Sequence, residues 1–164
     1  MNDIFFFQSP IGKLKIETTR NFVYKLEFVD EVFSDMEIKK MYSISEQIRE
    51  ELVEYFEYGR KSFTVPFKLN MSKFYEKTLN EVAKVKFGET KSYGQIAKKI
   101  DNPKAVRAVG KANSKNPIAL IIPCHRIIHK SGKLGGYSAG SDKKKFLLKH
   151  ECIDLSFWKE IIVN

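Results

Sequence analysis

The tetrapeptide Pro123-Cys124-His125-Arg126 follows an apolar run, Ile118-Ala119-Leu120-Ile121-Ile122. A lone cysteine behind such a run is ordinarily a small core residue. Here Pro123 fixes the backbone ahead of the thiol, and His125 and Arg126 place donors and positive charge after it. Such neighbours raise the thiolate fraction and so make a nucleophile. Side chains adjacent along a regular strand point to opposite faces. His125 therefore reaches Cys124 only through a bend or a bridging water. Glu151 could orient an imidazole, or simply be solvated at a helix end, and Cys152 reads as a space filler.

Two further groups stand near this segment. Gly132 to Gly140 carries four glycines in nine residues and includes Tyr137 and Ser138. Such a loop lets backbone amides approach a flat ligand closely. Upstream, Lys104, Arg107 and Lys111 recur at i, i+3, i+7, opposite an apolar stripe of Ala105, Ala108, Val109 and Ala112. The small residues make a slim helix that can press its basic face into a groove. The same pattern also describes a solvated lysine face above a packing seam.

The elements that must position these residues fall into two parts, 1–70 and 71–164. In the first, an apolar run at 4–8, a turn at Ser9-Pro10-Ile11-Gly12, and period-two segments at 13–17 and 24–28 predict a small antiparallel meander. Ser43-Ile44-Ser45-Glu46 has the form of a capping box and opens a helix that stops at Gly59. The second part opens with a helix carrying Tyr75, Leu79, Val82 and Ala83 on one face and stopped by Gly88. Ser92-Tyr93-Gly94-Gln95 caps a short helix broken at Asp101-Asn102-Pro103, and the basic helix runs from Lys104 to Ala112. Two short helices joined by a tight turn make a helix-turn-helix candidate. A buried strand at 118–122 and a last helix capped by Ser141, from Asp142 to about Glu151, complete the order.

Composition narrows the classes. The chain has 164 residues, 43% hydrophobic and 30% charged, a balance unlike disordered, collagen-like or membrane-embedded chains. The longest apolar run, Ile118 to Pro123, is far too short to span a bilayer. The N-terminus lacks the basic start and small-residue cleavage site of a signal peptide, so the expectation is an intracellular protein. Only two cysteines and three histidines occur, none of them before Cys124, and they lack metal-ligand spacing. The expectation is no metal and no cofactor. Residues 1–70 hold 10 basic and 12 acidic residues, whereas residues 71–164 hold 19 and 8, a net charge of +11. A lysine-rich composition should load both halves alike, so the imbalance points to a polyanion, most often nucleic acid.

Several blocks occur in a telling order: Ser92-Tyr93-Gly94-Gln95-Ile96-Ala97, Pro103 to Gly110, Asn116-Pro117, Ile122 to Arg126, Gly135 to Ser138, then Leu147-Leu148 and Glu151. From about Phe74 to Glu151 the chain resembles the DNA-binding and active-site domain of the O6-alkylguanine-DNA alkyltransferases. The resemblance implies an α/β N-terminal domain, a small antiparallel sheet plus helix, followed by a mainly helical, winged-helix-like domain with a helix-turn-helix. It implies direct-reversal repair, with one alkyl group passing irreversibly from O6 of a flipped-out guanine to Cys124. His125 would take the thiol proton through a water, held by Glu151. Tyr93 would donate to the departing base and crowd the target phosphate, and Arg107 would fill the gap in the stack from the minor groove. Lys104 and Lys111 would meet phosphates. Asn116 would stabilise the turn between the recognition helix and the active-site strand. Tyr137 and the Ser138 amide would contact the base, and carbonyls near Cys124 and Ile127 would read its exocyclic amine.

The partner implied is double-stranded DNA containing O6-alkylguanine, met by a monomer in the cytoplasm or nucleoid (in the nucleus, if the cell has one), with no membrane. Family members that bind zinc do so through Cys and His in the N-terminal domain, and this chain has none there. Arg126 and the tail from Ile153 to Asn164 receive no role, beyond an interdomain contact as one option for Arg126. The competing readings are a non-turnover lesion-binding module, a Cys-His-Glu hydrolase and a regulatory winged-helix DNA binder. The first lacks a use for Cys124, the second for the basic helix, and the third for Pro123-Cys124-His125-Arg126.

Overall fold

The computed structural model describes residues 2–30 and 42–152. The expectation of a packed tail beyond Ile153 lies outside the described residues. The chain divides into two compact units, Met1–Leu69 with Pro117–Ile121, and Asn70–Asn116 with Ile122–Asn164.

The first unit is the expected meander. Strands β1 (Asp3–Ser9), β2 (Gly12–Thr18) and β3 (Val23–Val29) form an antiparallel sheet in sequential order. Alternation places Leu14, Ile16 and Thr18 of β2 inward, each fully buried. An irregularity at Glu17/Thr18 resets the pairing so that Val23 opposes Thr18.

Helix α1 (Ser43–Glu57) buries Ile48, Leu52 and Tyr55. Its expected capping box does not form. The helix begins at Ser43 itself, with Tyr42 as N-cap. Asp3 supplies the acceptor from the sheet instead, taking the Tyr42 amide at 2.7 Å and the Ser45 hydroxyl at 2.6 Å. The helix ends where Tyr58 and Arg60 amides both return to the Glu54 carbonyl, which Gly59 allows by taking φ +73°.

Residues 118–122 are buried, as an apolar run should be, but they do not form a strand. Ile118 bridges Leu26 of β3, and then the chain turns at Leu120, whose φ is +67°. The Ile121 amide folds back onto the Ala119 carbonyl at 2.8 Å.

The second unit is helical. Helix α2 (Lys73–Ala83) is capped by Ser72 and buries Thr78, Leu79 and Val82. It stops at Lys84, short of the expected Gly88, because Lys84 and Val85 amides close tight turns onto Glu81 and Val82. Helix α3 (Tyr93–Lys99) has the capping box read from the sequence: the Ser92 hydroxyl accepts from the Gln95 amide at 3.1 Å, and the Gln95 side chain accepts from the Ser92 amide at 2.8 Å.

Helix α4 (Val106–Ser114) starts two residues later than Lys104. Its buried side is Val109, Ala112 and Asn113, while Ala108 faces outward beside Arg107 and Lys111. Strands β4 (Lys91–Ser92) and β5 (Ile127–Ile128) pair in parallel. Helix α5 (Ser141–His150) has Gly140, at φ +100°, as N-cap, so Ser141 is its first residue and not its cap. Cys152 is exposed with φ +59° and does not fill space. Among the described residues, no helix is long and apolar enough to cross a membrane.

Candidate active site

The backbone solves the problem that a strand would have posed. Residues Cys124–Arg126 form one 3-10 turn after Pro123, closed by the Arg126 amide on the Pro123 carbonyl at 2.9 Å. The turn buries three consecutive side chains and lets two of them, His125 and Arg126, meet Glu151 together instead of alternating faces.

Glu151 organises that cluster. It caps the C-terminus of α5 and is 1% exposed, so the solvated alternative does not apply. One carboxylate oxygen meets His125 Nε2 at 2.8 Å. Arg126 donates to both oxygens, from Nε at 2.8 Å and from the second guanidinium nitrogen at 3.0 Å. Its remaining nitrogen donates to the Val85 carbonyl at 2.5 Å. Burial alone would raise the Glu151 pKa, but the His125 and Arg126 hydrogen bonds and charges outweigh it and lower the group to about 2. Glu151 is thus ionised at neutral pH. Burial lowers the His125 pKa despite Glu151, keeping the imidazole neutral and able to accept a proton. Arg126 therefore belongs to this cluster, a role the sequence left unassigned.

Cys124 is 3% exposed. Burial raises its pKa, so the resting residue is a thiol and not the enriched thiolate that the sequence neighbours suggested. Opposing that rise are the Asn116 side chain, the charge of Lys144, and the Cys124 and His125 amides. The thiol carbonyl segment is braced from α4, where Asn113 Nδ2 donates to the Cys124 carbonyl at 3.2 Å. Asn116 donates to the Ile122 carbonyl at 2.7 Å, bracing the chain on the other side.

A pocket of about 310 Å³ adjoins this cluster, lined by Tyr93, Gly110, Asn113, Ser114, Gly136, Tyr137 and Ser138. Burial, followed by the nearby Cys124, raises the pKa of both Tyr93 and Tyr137, which stay protonated as donors. Asn113 Oδ1 and His125 Nδ1 are buried with no hydrogen-bond partner among the described residues, and the buried Tyr137 hydroxyl has none beyond the Cys124 sulfur it faces. Polar groups left in that state are suited to a polar ligand. Lys144 of α5 is fully buried and donates to the carbonyls of Ile127 at 2.7 Å, Leu134 at 2.5 Å and Gly136 at 3.4 Å. It ties the glycine-rich loop to the segment after Cys124. The Cys124 carbonyl accepts from both the Asn113 side chain and the Ile127 amide, whereas the Ile127 carbonyl accepts from Lys144.

Tyr93 sits between two glycines. A Cβ on Gly110 would lie 3.7 Å from its ring, and a Cβ on Gly135 only 2.8 Å from its hydroxyl. Lys104, in the turn ahead of α4, and Arg107 and Lys111 on it are all exposed. Asn113, Lys144 and Arg126 escaped the sequence reading. Asn113 alone had a usable signal, a polar residue at the position that completes the buried face of α4. Among the described residues, no group of three or more His, Cys, Asp or Glu is placed to hold a metal ion.

Helices α3 and α4, with exposed Arg107 and Lys111 on α4, stand in the same unit as a buried His125-Glu151-Arg126 cluster and the buried Cys124 thiol, an arrangement of the helix-turn-helix class. Residues 73–153 match the family model described as the DNA-binding domain of 6-O-methylguanine DNA methyltransferase. A methylated-DNA–protein-cysteine methyltransferase of Methanosarcina acetivorans is 43% identical over 140 residues, 85% of this chain and 80% of that one. The constitutive Bacillus subtilis protein of that name is 36% identical over 89% of this chain and 93% of its own length. The crystal structure of Mycobacterium tuberculosis OGT in complex with DNA superposes with a TM-score of 0.80 at 34% identity, covering 91% and 92% of the two chains. The chain belongs to the methylated-DNA–protein-cysteine methyltransferase family, DNA-repair enzymes that reverse O6-methylguanine directly.

Proposed function

We propose that Cys124 is the alkyl acceptor and that the pocket beside it receives an O6-alkylguanine rotated out of double-stranded DNA. One observation carries this reading: Asn113, which lines the pocket together with Tyr93 and Tyr137, donates to the Cys124 carbonyl at 3.2 Å, so the pocket lies beside the thiol-bearing turn. The protein acts as a monomer on DNA approached from the minor groove, in the cytoplasm or nucleoid.

The chemistry follows from the residue types. His125, neutral and steadied by Glu151, takes the thiol proton through a water molecule at its unpartnered Nδ1. The sulfur attacks the saturated alkyl carbon in line. The S–C bond forms as the C–O6 bond breaks, and the bonding electron pair leaves with the guanine. Tyr93 meets that developing charge with its phenol proton at a ring nitrogen. Tyr137, Ser138 and the Cys124 and Ile127 carbonyls supply contacts to the base edge. Extrusion costs a few kcal/mol, which Arg107 offsets by occupying the vacated stack while Lys104 and Lys111 meet phosphates. The thioether formed is a very poor leaving group, so each molecule reacts once.

Intact-mass measurement after incubation with a duplex carrying one O6-methylguanine tests this. The expected result is one added CH2 on Cys124, saturating at equimolar lesion and absent in Cys124→Ser. Continued conversion without protein modification overturns it and favours the hydrolase. Tight lesion binding with no mass change favours the non-turnover binding module.

A further inference from the structure

Tyr93 has a neighbour that the site described so far does not use. The His129 ring lies 5.2 Å from the Tyr93 ring, inclined at 57°. A Cβ on Gly135 would stand 2.8 Å from the Tyr93 hydroxyl and 3.1 Å from His129 Nε2. The phenol oxygen and the imidazole nitrogen therefore converge on one point of the glycine-rich loop. Gly135, at φ +71°, leaves that point open. The two residues also face different spaces. Tyr93 lines the pocket beside Cys124 and is half-buried, whereas His129 is exposed and lines a separate groove of about 510 Å³. Lys98 of α3 and Lys130 of its own turn border that groove, with Thr90, Ser92 and Gln95. The His129 amide is pinned to the Lys133 carbonyl at 2.9 Å, which holds its backbone in the turn.

A phenol that gives its proton to a departing base becomes a phenolate in a half-buried site beside Cys124, where burial disfavours the charge. It needs a proton from outside the pocket. We propose that His129 delivers it, acting through Tyr93 as the link between the open groove and the reaction. The proton passes from Tyr93 to the guanine ring nitrogen, from the His129 imidazolium to the Tyr93 oxygen, and from solvent in the groove back to His129. No redox step or further reagent is involved. This rests on Tyr93 being the donor to the base.

The test compares single-turnover transfer rates, at saturating O6-methylguanine duplex, for the wild type and His129→Gln between pH 6 and 8.5, in Tyr93 and Tyr93→Phe backgrounds. Taking the ratio of the two rates cancels the pH dependence that both share through His125. A side chain that feeds a proton to the reaction makes the ratio pH-dependent, so it should be largest, about ten, at the acid end and shrink towards one at the alkaline end. In the Tyr93→Phe background it should stay near one throughout. A ratio independent of pH, or one unchanged by Tyr93→Phe, overturns the role of His129 while leaving Tyr93 intact. If Tyr93→Phe reacts as fast as the wild type, the assignment of Tyr93 itself fails, and this inference with it.

Discussion

Arg126 holds both oxygens of Glu151 in a planar fork, at 2.8 and 3.0 Å, while the same carboxylate receives His125 at 2.8 Å. All three residues are buried. The carboxylate is therefore neutralised by a cation that does not take part in the proton transfer. His125 can stay neutral without leaving an uncompensated charge. Orientation of Glu151 and compensation of its buried charge are thus both supplied by one arginine, two residues from Cys124.

Removing that arginine should be costly. Arg126→Met leaves Glu151 buried with a neutral imidazole as its main partner, a loss of roughly 3–5 kcal/mol for a broken buried pair. Arg126→Lys should recover only part of it, because an ammonium cannot form the fork. Urea midpoints of the two variants check this. A midpoint within experimental error of the wild type for Arg126→Met would show that the fork is not a source of stability.

Acid should dismantle the same cluster. Glu151 is lowered from an ordinary 4.5 to about 2, so its contribution is complete above pH 4.5 and is lost as pH falls towards 2, roughly 3 kcal/mol in all. His125 is lowered from 6.5, so it too contributes above its ordinary value and loses that contribution as pH falls through its depressed one. Both act in the same direction. Unfolding free energy should therefore begin to drop below about pH 6.5 and drop further below pH 4.5. Glu151→Gln should flatten the lower part of that curve. A stability profile level from pH 7 to pH 3 would contradict both shifts.

Much of this was legible from residue types. Ser92 and Gln95 form the expected capping box because both partners are local, three residues apart. The meander followed from period-two alternation. The misreadings have a common cause, which is that a distant group decided the outcome. Asp3, forty residues upstream in β1, displaced the local cap of α1. The apolar run at 118–122 was buried as its composition required, yet the turn at Leu120 is invisible to periodicity. At the site, Cys124, His125 and Glu151 could be nominated, but the thiol's raised pKa depends on burial that spacing does not encode. Arg126 and Lys144 were missed for the same reason, since a charged residue is ordinarily exposed and nothing local marks these two as buried.

Gly135 and Gly136 offer a matched pair. Gly135 combines φ +71° with a Cβ position 2.8 Å from the Tyr93 hydroxyl, whereas a Cβ on Gly136 meets nothing within 4 Å. Gly135→Ala should destabilise the loop by about 1–3 kcal/mol through backbone strain and push Tyr93 from its place. Transfer to Cys124 should slow by an order of magnitude or so if the phenol contributes as an acid. Gly136→Ala should be near neutral in both. Thermal melts with single-turnover rates decide this, and equal behaviour of the two variants would remove Gly135 as the element that seats Tyr93.

Arg107 provides the separation between chemistry and DNA handling. It is exposed on α4, with Lys111 one turn on and Lys104 in the preceding turn, and among the described residues the hydrogen bonds that brace the Cys124 segment come from Asn113 and Asn116. If it fills the gap left by the extruded base, its loss should slow repair of duplex O6-methylguanine by the equivalent of one to a few kcal/mol, about tenfold or more. Reaction with free O6-benzylguanine needs no extrusion and should change less than about twofold, since surface substitutions away from the site are nearly neutral. Lys111→Ala should instead weaken duplex binding and reduce its salt dependence by about one unit of slope. Parallel rate measurements on the two substrates discriminate sharply. Equal losses on duplex and free base would place Arg107 in maintaining the pocket and remove it from base extrusion.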